Sequence, residues 1–136
     1  MSQAKNIGIA RQLLAALGEG QEPGIIATLF SEDVVFEIPG DTSALPWIGR
    51  KTGREAVAGF IRDLRVLTEP IKFDVQDILA SNDRAVIIGE FATRIKATGN
   101  LIESPFAIIL TVSGTDEVTR FQMLENSFMV SGAANS

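Results

Sequence analysis

The sequence predicts an α+β domain in which helices come first and an antiparallel sheet follows. Up to about residue 68 the apolar residues recur at helical spacing, and after Pro70 they fall into strand-like runs. Short turns separate these runs, and turns this short require antiparallel neighbours. The 136 residues show no alternation of strand and helix and no linker. We therefore expect one domain over residues 1–136, with a core at about 7–130.

Three helices are predicted in the first half of the chain. A helix over residues 3–18 has one apolar stripe, formed by Ala10, Leu13, Leu14 and Leu17. A second helix starts near Pro23 and ends at Ser31–Asp33. It is expected to bury Ile25, Ile26, Leu29 and Phe30.

A strand over Val34–Ile38 precedes the third and longest helix. The sequence T-G-R-E at Thr52–Glu55 predicts a capping box at the start of this helix. The helix ends before Glu69-Pro70. Its buried stripe is expected to hold Val57, Phe60, Ile61 and Leu64.

The closing strands are expected at about 71–80, 84–97, 101–113 and 117–130. Two of them, at Ala85–Ile88 and Phe106–Leu110, are apolar on both faces. Three helices cover only one face of the sheet, so something else covers the other. A homodimer through this face is the simplest candidate; a local curl of the sheet or a covering loop is the alternative.

The composition excludes several kinds of site. The chain has no Cys, no His and no Tyr, which excludes thiolate metal sites, histidine bases and phenolic acids. A net charge of -5 with scattered Lys and Arg argues against nucleic acid and anionic membrane surfaces as partners. The start of the chain has no signal-peptide pattern, so the expected location is cytoplasmic.

The stretch from Val34 to Val57 carries the clearest family resemblance. It contains E-I-P-G at a strand end and W-x-G-x-x-x-G-R-E-A-V at a helix entry, with the one Trp of the chain, Trp47, between them. With the four closing strands, it resembles the SnoaL-like branch of the nuclear transport factor 2-like superfamily. The resemblance implies a strongly curved sheet wrapped around three N-terminal helices, a cone with an internal cavity.

This resemblance also implies a function. Such domains hold a small apolar molecule, polyketide-like or steroid-like, and some are cyclases or isomerases that need neither metal nor cofactor. The chain departs from the family where Ile108 replaces a His, and where Leu124 and Asn126 replace Tyr and Asp. In an epoxide hydrolase relative with an Asp-Arg-Asp set, the Arg and the first Asp match Gly89 and Phe91, and the second Asp matches Met123. A non-catalytic binding protein is therefore the alternative to an enzyme.

Strand parity and the resemblance together predict the residues that line the cavity. Trp47 is expected at its mouth, and the alternative is that all of these residues are ordinary core. The predicted lining is Phe36, Ile38, Trp47, Phe60, Leu64, Phe91, Ile108, Phe121 and Met123.

Few residues remain as candidates for chemistry. Asp41, after Pro39-Gly40, is the candidate base at the mouth, or else a solvated turn residue. Asn126 is the candidate partner for a ligand carbonyl, or else an Asn at the sheet edge whose side chain is hydrogen-bonded to the backbone.

The remaining charged groups are expected at the surface. Glu90 and Arg94 are expected to pair across to Glu103 or Glu125 in a surface network. Arg50, Lys51 and Arg54 form a basic group that either meets an acidic ligand or is solvated.

Overall fold

A computed structural model describes residues 3–135, with the side chain of residue 135 excepted, and confirms the α+β prediction. The helices are α1 (Gln3–Gly18), α2 (Pro23–Ala27), α3 (Arg54–Leu67) and α4 (Ser127–Asn135). The strands are β1 (Phe30–Ile38), β2 (Gly49–Thr52), β3 (Thr68–Ala80), β4 (Arg84–Ile95), β5 (Leu101–Val112) and β6 (Val118–Glu125).

The strands form one mixed sheet in the order β2-β1-β6-β5-β4-β3. As expected from the short turns, β3 to β6 pair antiparallel in sequence. The first strand, β1, lies parallel to β6, so the sheet is not antiparallel throughout. This parallel pair is possible because a long stretch of chain, including α3, separates the two strands.

The entry to α3 differs from the predicted capping box. Thr52 pairs with Val35 as the last residue of β2, a short strand that the sequence did not reveal. Gly53 caps α3 instead, with φ at +95° and no side-chain cap. This φ favours glycine, which turns the chain from β2 into the helix.

The second helix is shorter than predicted, and β1 is longer. The structure places Ser31–Asp33 in β1, not at a helix end, because Phe30 already pairs with Val118 of β6. The register of β1 shifts between Phe30 and Val35. Ile26 and Phe30 are buried as expected, whereas Ile25 is exposed.

The expected last strand ends early, at Glu125, and α4 follows. Asn126 Oδ1 accepts a hydrogen bond from the Met129 amide at 3.1 Å, which is the N-cap arrangement. The last turn of α4 is tied to the β4–β5 turn, since Thr98 and Asn100 both donate to the Ala133 carbonyl. The end of the described chain, through residue 135, is therefore helical.

The helices and the sheet enclose the core. The inward positions of β4, β5 and β6 hold Ile87, Ile108 and Phe121, all buried. The outward positions of the same strands include Val86, Ile88 and Ile109, which stay half-buried. The sheet is thus apolar on both faces, but only its inward face is covered by the rest of the chain.

Candidate functional site

A cavity of about 540 Å³ lies between the sheet and the helices. This volume falls in the range typical of small-molecule sites. All but one of the nine residues predicted to line it lie in its wall. Ile38 is buried in the core outside this wall.

One wall of the cavity is a cluster of aromatic rings. Phe36 stacks on Phe121, with ring centroids 4.8 Å apart and planes within 5°. Phe60 lies 4.9 Å from Phe36, and Trp47 meets Phe60 edge-on at 5.8 Å. Rings packed in this way give a large and rigid apolar surface.

The opening of the cavity is not where the sequence placed it. Trp47 is only 6% exposed and lies within the aromatic wall. The lining residues that reach solvent gather where α1 and α3 end and β3 begins. They are Gly18, Arg65, Pro70, Lys72 and Phe73.

One acid, Glu125, lies in the cavity wall. It is the last residue of β6 and follows Phe121 and Met123 on the inward side at intervals of two residues. Burial raises the pKa of the Glu125 carboxyl from 4.5 to about 7. Among the described residues, this carboxyl has no hydrogen-bond or ion-pair partner.

A close approach between two neighbouring strands positions the ring that pairs with Glu125. Phe106 of β5 pairs with Glu125 on one side and with Gly89 of β4 on the other. A Cβ on Gly89 would lie 2.9 Å from Phe106 Cζ, so the Phe106 ring leans over the glycine. There it stacks on Phe73, with centroids 4.9 Å apart. The ring thus leans towards β4 and β3 and away from β6, the strand that carries Glu125.

Asp41, the predicted base, is not part of the wall. It is exposed, and its Oδ1 accepts hydrogen bonds from the Ser43 amide at 2.9 Å and the Ser43 hydroxyl at 2.7 Å. These bonds hold the pKa of Asp41 below its ordinary value. Asp41 is therefore an ionised turn residue at neutral pH.

Asn126, the predicted polar partner of a ligand, is also outside the wall. Its side chain caps α4, and its backbone amide donates to the Ser104 hydroxyl at 2.8 Å. The residue that sequence reasoning missed is its neighbour, Glu125. A signal for Glu125 was present, because strand alternation from the inward Phe121 and Met123 leads to residue 125 and not to 126.

Glu90 and Arg94 were expected to pair with Glu103 or Glu125, but each has another partner. Arg94 Nε lies 3.5 Å from Glu69 Oε1, and Glu90 accepts from the Gln76 amide at 2.9 Å. Arg54 donates to the Glu117 carboxylate at 3.1 Å, so its guanidinium already has an acidic partner within the protein. Arg50 and Lys51 are exposed and lie outside the cavity wall.

Within residues 3–135, no group of three or more acidic, His or Cys side chains is placed to hold a metal ion. No helix in that part of the chain is long and apolar enough to cross a membrane.

The fold and cavity define a member of a known family. Residues 10–121 match the SnoaL-like domain family, and the chain belongs to it. No protein with a curated function matches the chain in sequence.

Solved structures share the whole fold. A nuclear transport factor 2-like protein from Burkholderia xenovorans LB400 is 24% identical over 99% of both chains, with a TM-score of 0.88. One from Burkholderia thailandensis E264 is 16% identical over the full length of both, with a TM-score of 0.82. A Catenulispora acidiphila protein with a ketosteroid isomerase-like fold, solved with trimethylamine, is 24% identical over 85% of this chain and 82% of its own, with a TM-score of 0.67.

Proposed function

We propose that this chain binds a small apolar molecule, polyketide-like or steroid-like, in the cavity and moves a proton on it without a cofactor. The observation that carries this proposal is Glu125, an unpartnered acid in an apolar wall. A pKa near 7 lets one carboxyl both accept and return a proton at neutral pH. This is the property that an acid–base isomerase or cyclase needs.

The proposed reaction is the shift of a proton along a cyclic ketone. The Glu125 carboxylate removes a proton from the carbon next to the carbonyl, and the electron pair moves into an enolate. The carboxylic acid then returns the proton to another carbon of the conjugated system. The carboxyl is regenerated, and no redox partner is needed.

A hydroxyl in the wall is available to the ketone oxygen. The wall holds Thr68 and Thr93. Thr68 donates to the Leu64 carbonyl at the end of α3, whereas the Thr93 hydroxyl has no partner among the described residues. We assign Thr93 as the donor that would stabilise the negative charge of the enolate.

Isomerisation of a β,γ-unsaturated cyclohexenone tests this proposal. The conjugated product absorbs in the near ultraviolet, so the rate is read directly. We expect turnover by the wild type and a loss of about a hundredfold or more in Glu125→Gln, which cannot take a proton. Glu103→Gln, on the exposed side of β5, is the matched control and should keep the wild-type rate.

A second candidate is binding without catalysis. It is favoured by the isolation of Glu125, since no described side chain fixes the orientation of its carboxyl. If the ketone quenches Trp47 fluorescence but is not isomerised by the wild type, the chain is a binding protein. If it neither binds nor reacts, the cavity does not take this class of molecule.

We also propose that two copies associate through the uncovered face of the sheet. On this face Leu79 pairs with Val86, and Ile88 with Ala107, next to Leu124. Leu79 and Leu124 are 51% and 44% exposed. A second copy would remove this contiguous apolar surface from water.

A further inference from the structure

Among the described residues, the exposed lining of the cavity opening holds two cations and no acid. Of the lining residues that reach solvent, Arg65 and Lys72 are the charged ones. Arg65 lies in the last turn of α3, and Lys72 follows in the first part of β3. The third charged residue of the wall, Glu125, is half-buried.

Neither cation is neutralised by a neighbouring acid. The Lys72 ammonium has no hydrogen-bond or ion-pair partner in the described chain. Arg65 Nη1 donates to the Gln21 carbonyl at 2.6 Å, and its other N–H groups have no partner within residues 3–135. Glu69 lies between the two in sequence but pairs with Arg94.

We propose that this opening binds the carboxylate of an amphiphilic ligand, whose apolar body fills the cavity. Arg65 and Lys72 would pair with the carboxylate. The inference rests on the proposal that the cavity takes a small apolar molecule, and it adds the substrate class: an apolar molecule that also carries a carboxylate, which binds more tightly than its neutral or basic analogues.

The chemistry of the two side chains favours a carboxylate. The guanidinium of Arg65 offers a planar pair of donors that matches a carboxylate, and Lys72 adds a compact charge. At the opening the charged group keeps part of its hydration, whereas in the apolar interior it would lose it. A ligand ammonium in the same place would face two like charges.

Glu125, the one acid among the described lining residues, should set the pH dependence of binding. Ionised Glu125 repels a second carboxylate in the same cavity, so the apolar acid should bind more tightly below the pKa of Glu125. At about pH 6 a simple carboxylic acid is still ionised, while Glu125 is largely neutral. At that pH, attraction of the carboxylate by Arg65 and Lys72 can be measured without its repulsion by ionised Glu125.

The test compares three probes with one apolar body: cyclohexylbutanoate, its amide and cyclohexylbutylammonium. Quenching of Trp47, in the cavity wall, reports binding at about pH 6. We expect the carboxylate to bind about tenfold more tightly than the amide, as one or two charge-assisted hydrogen bonds allow. The Arg65→Met/Lys72→Met double variant should lose this preference and bind the amide as the wild type does.

The matched control is Arg62→Met/Lys96→Met, because both residues are exposed and lie outside the wall. It should keep the tenfold preference. Equal binding of carboxylate and amide by the wild type, or tightest binding of the ammonium, overturns the inference while the cavity proposal stands. Binding of none of the probes overturns both. If the double variant does not fold, Lys72→Met alone must still lower the preference.

Discussion

Glu125 and Phe106 are direct partners across β6 and β5, and their side chains share the inward face of the sheet. The Phe106 ring leans over Gly89 and stacks on Phe73, on the side of β5 opposite to β6, which carries Glu125. The absence of a side chain at Gly89 thus gives the Phe106 ring its place beside Phe73.

Gly89→Ala should destabilise the protein by about 2–3 kcal/mol, because the new methyl group is overpacked. An ideal Cβ at this position lies 2.1 Å from the Asp74 carbonyl oxygen on β3 and 2.9 Å from Phe106 Cζ. Urea unfolding measures the change. Gly59→Ala is the control: its Cβ meets nothing within 4 Å, and alanine favours helix α3. A Gly89→Ala protein as stable as the wild type would contradict the close approach.

Stability should fall with rising pH because of Glu125. Its pKa is raised from 4.5 to about 7, so the folded state binds more protons than the unfolded state between these values. The contribution is fully present below about pH 4.5 and is lost as the pH rises through about 7. The total is about 3 kcal/mol.

The measurement is the difference in unfolding free energy between wild type and Glu125→Gln from pH 5 to pH 8. The shifts of exposed groups such as Glu37 and Asp41 cancel in this difference. The wild type should lose stability relative to the variant over this range. A difference that does not change with pH would show that Glu125 titrates alike in both states.

Asn126→Ala should cost about 1 kcal/mol of stability, the usual value for a lost N-cap. The variant removes the bond from the Met129 amide to Asn126 Oδ1. Asn126→Asp keeps an acceptor oxygen and should restore most of the loss. Amide exchange in α4 should rise in the alanine variant alone. Unchanged exchange there would show that the cap does not hold the helix.

Leu124→Lys should convert a dimer into a monomer, because it places a charge in the apolar outer face of the sheet. Sedimentation equilibrium measures the mass of wild type and variant. Val66→Lys, at a residue 67% exposed on α3, is the matched control and should remain dimeric. A monomeric wild type would contradict association through this face.

The fold was largely readable from the sequence because its signals are local. The stripe in α1 and the short turns of β3–β6 depend only on neighbours in the chain. The start of α3 could not be predicted, because Thr52 pairs with Val35 in the sheet and does not form the capping box. The parallel contact between β1 and β6 depends on residues far apart in sequence, which periodicity cannot show.

Only the apolar residues of the candidate site could be predicted from the sequence. Alternation placed Phe121 and Met123 in the wall, and the same alternation carried one step further identifies Glu125. The family resemblance suggested Asn126, but β6 ends at Glu125 and Asn126 caps α4 instead. Asp41 could not be excluded from sequence, since its exposure depends on the turn that Ser43 closes.

The most direct test of the central claim is a carbon-detected NMR titration of the Glu125 side-chain carboxyl, assigned with Glu125→Gln. We predict a midpoint near 7, well above the ordinary 4.5. We also expect a further shift when a cyclic ketone occupies the cavity, because the ketone displaces water from the carboxyl. A midpoint near 4.5 that does not respond to the ketone would contradict the claim that Glu125 is the acid of an apolar binding site.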